Sequence, residues 1–234
     1  MAASMDEYTE LLPDPLPAEP FGVVSRWLAE AWAAGRQPNA NAMVLATATP
    51  DAHPAARVVL CKDIVPAEGY VVFYTNYHSA KGRQLSGNPR AAAVMHWDAL
   101  HRQVRIEGAI AAAPAADSDA YFASRSWQKR IATWASAQSE PVASRAQLLA
   151  NVARAAQRFG TPVPGTAAAA AVGHDFDIPR PPHWGGFRLW AAAVELWCEG
   201  DARMHDRAVW QRELCAPADG ACRCGAWSVT RLQP

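Results

Sequence analysis

Apolar residues recur at helical spacing from Phe21, with Val24, Trp27, Leu28, Ala31 and Trp32 on one stripe ahead of Gly35. That periodicity predicts an amphipathic helix over 20–35. The pattern then changes to short runs of strand type at 42–47, 57–62, 70–75, 94–97 and 103–111. Turn residues such as Pro50-Asp51 separate them at hairpin-like intervals, which predicts an antiparallel sheet or barrel. Within this region Ser79 opens a short helix through Leu85, stopped by Gly87-Asn88-Pro89; Ser is a good N-cap, and Gly before Pro is a good stop. The middle of the chain turns helical at 115–124, 128–136 and 144–159, the last with Leu148, Val152, Ala155 and Phe159 on one stripe. Strand-like segments return at 186–198, 203–212 and 226–232. Strands on both sides of a helical middle predict one sheet that collects both halves, a mainly β chain with flanking helices (α+β). Residues 1–19, with Pro13 and Pro15 blocking helix, read as a flexible arm, and 20–234 as a single domain. Its one flexible connection, at about 160–182, carries five prolines and an alanine run.

Composition narrows the function classes. Half of the 234 residues are hydrophobic and 19% are charged, enough to bury a core and to exclude disorder throughout. Lys+Arg and Asp+Glu are equal at 22 each, so nothing demands a nucleic-acid partner. No long uncharged apolar run offers a membrane-spanning helix. The balance hides an asymmetry. Residues 1–25 carry five acids (Asp6, Glu7, Glu10, Asp14, Glu19) and no base, whereas 78–105 carry Lys81, Arg83, Arg90, Arg102 and Arg105 against Asp98 alone. A local basic excess in a neutral chain fits a small anionic ligand. The acidic start lacks the positive region of a signal peptide, which predicts a cytoplasmic protein. Cys215, Cys222 and Cys224 match no common zinc spacing, so no metal is expected; the stretch reads as a hairpin loop with incidental thiols.

Four groupings carry candidate chemistry. On a regular strand Arg203, His205 and Arg207 share one face, either as a solvated strand edge or against an anion or an electron-rich ring. Tyr121, Arg125 and Lys129 stand at i, i+4 and i+8, a solvated helix face or a phosphate site with an Arg fork, a Lys charge and a Tyr donor. Arg57 and Lys62 bracket an apolar run and face opposite ways on a regular strand, so joint contact needs a bulge or a strand end. Ser79 and Lys81 open a helix, as an ordinary cap or as a phosphate seat. No dinucleotide fingerprint, phosphate-binding loop of the Walker type, nucleophile elbow or zinc-protease motif is present.

Nine short stretches in order carry a resemblance: RVVLCK (57–62), VVFYTNYHSAKGRQLSGNPRAA (71–92), RQVRIEGA (102–109), YFASR (121–125), WASAQS (134–139), RPPHWGGFRL (180–189), ELW (195–197), RMHDR (203–207) and RLQP (231–234). From about residue 20 to the last, the chain resembles the pyridoxine/pyridoxamine 5′-phosphate oxidases. The resemblance implies an FMN-binding split β-barrel and a homodimer with active sites at the subunit interface. Carried over by position, it implies FMN contacts at Arg57 and Lys62 with the backbone between them, and at Tyr74, Thr75, Lys81, Gln103, Gln138, Ser139, Trp197 and Arg207. Several of these come from the partner subunit. It implies substrate contacts at Lys62, Tyr121, Arg125, Lys129, Arg203 and His205, with Arg203 and His205 as the catalytic pair.

The implied reaction oxidises pyridoxamine or pyridoxine 5′-phosphate to pyridoxal 5′-phosphate, with O2 as acceptor and H2O2 released, a step of pyridoxal phosphate biosynthesis. A related FMN oxidase acting on a phenazine precursor, or a flavin- or vitamin-binding protein without turnover, are the alternatives. Three positions depart from the family pattern. Ala80 stands where the family has Arg, which removes a charged hydrogen bond worth about 1.5–3 kcal/mol from the FMN phosphate. Lys129 stands where it has Ser on the substrate phosphate. The N-terminal arm is acidic where it is often basic, and Tyr8 is its only remnant.

Overall fold

Helix α1 (Phe21–Ala34) buries Phe21, Val23, Val24, Trp27 and Ala31, the stripe that the periodicity marks out. The Glu19 carboxylate accepts hydrogen bonds from the Phe21 and Gly22 N–H groups, which have no partner within the helix. Gly35, at φ +60°, closes the helix in the left-handed conformation that Gly adopts without strain. The computed structural model describes residues 10–215 and 222–234.

Among the described residues one nine-stranded antiparallel sheet holds the fold together. Its strands are β1 (Ala42–Ala48), β2 (Pro54–Leu60), β3 (Asp63–Val65), β4 (Tyr70–Asn76), β5 (Arg90–Trp97), β6 (Arg102–Ala112), β7 (Trp184–Cys198), β8 (Asp206–Gln211) and β9 (Ser228–Leu232). The order is β2-β1-β5-β6-β7-β4-β3, and the sheet forks at β7. Residues 184–190 of β7 pair with β4, and residues 193–198 pair with β8, which carries β9. Strand β6 pairs with β7 along its whole length, through a bulge between Glu107 and Gly108. The two halves of the chain therefore meet in one sheet, as the strand pattern on either side of the helical middle predicts. Strand β3 is too short for the hydrophobic pattern to reveal.

Alternation along the strands sorts the faces. Leu45, Met95, Val104, Ile106, Val194, Leu196 and Trp210 point into the main core with the α1 stripe. The middle helices α3 (Ala115–Ala123), α4 (Trp127–Ala135), α5 (Arg145–Arg158) and α6 (Ala167–Ala170) build a second core around Phe122, Trp127, Ile131, Ala156 and Trp184. Helix α2 (Ala80–Gly87) starts at Ser79, whose Oγ accepts from the Gly82 N–H.

Two segments read as flexible in the sequence carry definite packing. Residues 1–9 of the arm lie outside the described residues. Beyond them, Leu12 is buried, its N–H donates to Asp206, and the Trp210 indole donates to the Pro17 carbonyl. In the 160–182 connection Ile178 is buried, and Arg130 binds Asp175 and the Phe176 carbonyl.

Candidate active site

The β4–α2 junction brings Thr75, Ser79 and Lys81 together. The Lys81 side chain is buried, and its Nζ donates to Thr75 Oγ1 at 3.1 Å, Gln138 Oε1 at 3.2 Å and Ser79 Oγ at 3.4 Å. All three acceptors are neutral. Burial and the nearby charge of Arg57 pull the Lys81 pKa below its usual value. Arg57, on β2, donates to Thr47 Oγ1 at 2.5 Å and Gln84 Oε1 at 2.9 Å, and burial lowers its pKa as well. Two desolvated cations held by neutral oxygens, without a carboxylate, have the donor set of a phosphate monoester seat.

Beside this seat runs a cleft of about 370 Å³ lined by Val58, Val59, Leu60, Lys62, Tyr74, Thr75, Lys81, Tyr121, Arg125, Lys129, Gln138 and Trp184. A contiguous lobe of about 370 Å³ extends along α4 past Asn76, Thr133 and Ser136. Four cations line the cleft and no carboxylate does. Tyr74, Tyr121 and Trp184 stack as near-parallel plates, with Tyr74 and Tyr121 4.0 Å apart. Arg125 lies over Trp184 at 4.8 Å and donates to Thr133 Oγ1 at 2.8 Å, so its fork is fixed from two sides. Burial lowers the Arg125 pKa. Lys62 follows the end of β2, the strand end that lets it turn toward the cleft.

The expected stripe of Tyr121, Arg125 and Lys129 is not one helix. The chain breaks at 124–126, where Ser126 is extended (φ −55°, ψ 145°), and Tyr121 and Lys129 sit on separate helices. The three still line one cleft, Tyr121 from α3, Arg125 from the break and Lys129 from α4.

The remaining expected residues lie elsewhere. Gln103 on β6, Trp197 on β7 and Arg207 on β8 stand directly opposite one another in a single cross-strand row. Arg203 and His205 do not share a strand face with Arg207, a correction to the alternation argument. Strand β8 begins only at Asp206, and Arg203 belongs to a 3₁₀ turn in which Ala202 and Arg203 have φ of +50° and +65°. Two successive left-handed residues after Gly200 reverse the chain before the strand starts. His205 instead lies against Trp197, ring centres 4.7 Å apart, and its Nδ1 accepts the Gly200 N–H. That bond leaves the proton of the neutral ring on Nε2. Neither lobe of the cleft described above is lined by Gln103, Trp197, Arg203, His205 or Arg207. Ser139, next to Gln138 and at φ +74°, does not line the cleft.

Thr47, Gln84, Thr133 and Trp184, which orient the cations, are not among the site residues that the sequence singles out, although Gln84 and Trp184 lie within two of the nine stretches. Gln84 meets Arg57 across 27 residues, and Thr133 meets Arg125 across a helix break. The Cys215, Cys222 and Cys224 stretch stays outside the site: its thiols are unpaired, and no metal-binding group of His, Cys, Asp or Glu forms among the described residues. No helix there is long and apolar enough to cross a membrane.

Comparison with known proteins gives consistent results. Residues 28–159 match the family model described as pyridoxamine 5′-phosphate oxidase, and residues 184–234 match the pyridoxine 5′-phosphate oxidase C-terminal dimerisation region. A pyridoxine/pyridoxamine 5′-phosphate oxidase of Maricaulis maris is 46% identical over 92% of this chain and 86% of its own length. One from Burkholderia multivorans is 42% identical over 99% and 94%. The crystal structure of PhzG from Burkholderia lata 383, in complex with tetrahydrophenazine-1-carboxylic acid, superposes with a TM-score of 0.77 at 30% identity, covering 97% of this chain and all of that one. A related FMN-binding protein of Nostoc punctiforme, 16% identical over 91% and 96% with a TM-score of 0.65, shares the fold.

Proposed function

Because the chain belongs to the pyridoxine/pyridoxamine 5′-phosphate oxidase family, an oxidoreductase family with FMN as cofactor, we propose that it oxidises pyridoxamine or pyridoxine 5′-phosphate to pyridoxal 5′-phosphate with O2 as acceptor and H2O2 as product. The observation that carries this reading is the cation-lined cleft beside the Lys81 seat. It offers places for two phosphates, one on the cofactor and one on the substrate. When bound, FMN would supply the two-electron acceptor for the exocyclic carbon, attached to the pyridine ring, that becomes the aldehyde.

The residues present fit that group. Lys81 and Arg57, with Thr75 and Gln138, hold the cofactor phosphate. Arg57 and Lys81 lie close enough for their charges to interact, and they hold the phosphate without the Arg that Ala80 replaces. Lys62, Tyr121, Arg125 and Lys129 hold the substrate phosphate, with Arg125 giving the fork and Lys129 a point charge. Tyr74 lies in the same cleft wall. The row Gln103, Trp197 and Arg207 serves the cofactor of the partner subunit, and Arg203 and His205 close over the substrate ring there. His205, with its proton on Nε2, donates toward the ring and does not begin as a base. The matched dimerisation region indicates a homodimer; active sites shared between the subunits explain why the two sets are separate in one chain. A cytoplasmic setting fits five unpaired cysteines.

Purified protein is assayed for H2O2 with pyridoxamine 5′-phosphate, pyridoxine 5′-phosphate and a reduced phenazine carboxylate. Turnover of the pyridoxine compounds is expected. Turnover of the phenazine alone moves the substrate assignment, and flavin binding without peroxide from any of them removes the enzymatic reading.

A further inference from the structure

Strand β7 carries a buried carboxylate that the proposed reaction does not use. Glu195 is 5% exposed and sits two residues before Trp197 on the same face of the sheet. Its Oε1 accepts two hydrogen bonds from Arg207, from Nε at 3.0 Å and from Nη2 at 2.7 Å. The third Arg207 nitrogen, Nη1, donates to the Gln233 carbonyl at 3.0 Å. Arg105 Nη2 lies 3.0 Å from the other Glu195 oxygen, and Arg105 Nε lies 3.0 Å from Glu107. Two arginines and two carboxylates thus balance on this face. A buried carboxylate stands here only because the arginines compensate it, and removing its charge leaves one net positive charge beside the Trp197 row.

Resting on the reading that this row faces the partner's FMN, we propose that Glu195 is the positioning residue that fixes the Arg207 guanidinium and sets the charge it presents to the flavin. Arg207 has several rotatable bonds and a partly exposed head. Three nitrogens tied to Glu195 and Gln233 hold the guanidinium in one orientation. The fork is specific to a carboxylate or carbonyl acceptor. The paired carboxylate also lowers the positive potential at the flavin, and added positive charge there favours the reduced, more negative form.

The reduction potential of bound FMN and its dissociation constant, read from flavin fluorescence, are measured in dimeric Glu195→Gln, Glu195→Asp and Arg207→Gln. Glu195→Gln keeps an acceptor for Arg207 but no charge, so the potential moves to a more positive value. Arg207→Gln moves it the other way. Glu195→Asp keeps the charge but shortens the reach, so the potential stays near the parent while FMN binding weakens by about tenfold, the loss of one charged hydrogen bond. An unchanged potential in Glu195→Gln, with a shift in Arg207→Gln, overturns the role of Glu195. No effect of Arg207→Gln on potential or affinity overturns the placement of Arg207 itself, and this inference with it. Should Glu195→Gln fail to load FMN, a shifted potential in Glu195→Asp overturns the proposal and a parental one supports it.

Discussion

Arg203 and Lys129 represent two kinds of contact, and substitution separates them. Arg203 is placed over the reacting ring, so Arg203→Ala lowers kcat/KM by about 100-fold or more, the loss of a contact worth about 3 kcal/mol in the transition state. FMN content stays at the parental value. Full activity in that variant removes the catalytic assignment. Lys129 is placed on a remote phosphate, so Lys129→Ala raises KM more than it lowers kcat. Lys129→Ser keeps most of the activity, and parental kinetics in both variants place the substrate phosphate elsewhere. Ala202, beside Arg203, holds φ +50° without being Gly. Ala202→Gly relieves about 1 kcal/mol of left-handed strain and raises Tm by about 2–4 °C. Lys81 is costly in the other sense: burial lowers its pKa, so its charged form destabilises the fold until an anion arrives. That cost is present below the depressed folded-state pKa and disappears as pH rises above the ordinary Lys value. At neutral pH Lys81→Met therefore raises the Tm of FMN-free protein and weakens FMN binding at least about tenfold, by fluorescence titration. A lower Tm in the FMN-free variant contradicts the uncompensated-cation account.

At the scale of elements, the phosphate seat depends on how closely α2 approaches the strand before it. A Cβ on Gly82 would lie 2.1 Å from the Tyr77 carbonyl oxygen, so only Gly allows that approach. Gly82→Ala pushes α2 away, carries Ser79 and Lys81 with it, and costs about 1–3 kcal/mol of overpacking. The expected result is a lower Tm together with FMN-poor protein on purification; parental flavin content would show that the seat does not need the close packing. Ser79 and Gly87-Asn88-Pro89 were readable as a cap and a stop because Ser, Gly and Pro have strong local preferences. The approach of α2 to Tyr77 was not, since it depends on backbone atoms that sequence spacing does not place. The same contrast holds at 201–205. Alternation assumes an extended backbone, and the two left-handed residues there interrupt it before β8 begins.

For the whole molecule, one face of the sheet carries an exposed apolar row. Val58, Val44 and Val94 pair in register across β2, β1 and β5, and Val58 and Val44 are 65% and 43% exposed. The row continues through Arg105 and Glu195 and lies beside Gln103, Trp197 and Arg207 on the same face. An exposed apolar stripe next to half of a cofactor site suits a subunit contact. Light scattering of the parent should give about twice 25.2 kDa. Val44→Asp, placing a charge in that stripe, shifts the mass toward the single chain and lowers FMN content together with it. A variant that stays dimeric and fully loaded puts the subunit contact on another face.

Local chemistry settled much of this protein before any fold was known. The α1 stripe, the strand runs, the Ser79 cap, the neutral charge with a basic middle and the nine ordered motifs are all properties of neighbouring residues. They depend on periodicity, capping and side-chain type, which act over a few positions. Tertiary structure alone decided which cations share a cleft. Arg57 meets Gln84, Lys81 meets Gln138, and Tyr121 joins Lys129 across a broken helix. It also decided that Gln103, Trp197 and Arg207 form one row backed by Glu195, because strand register, not sequence distance, sets which side chains face each other. Those contacts span tens of residues and arise only when the sheet closes, so periodicity and spacing do not contain them; the motifs imply the groupings only through the family they resemble.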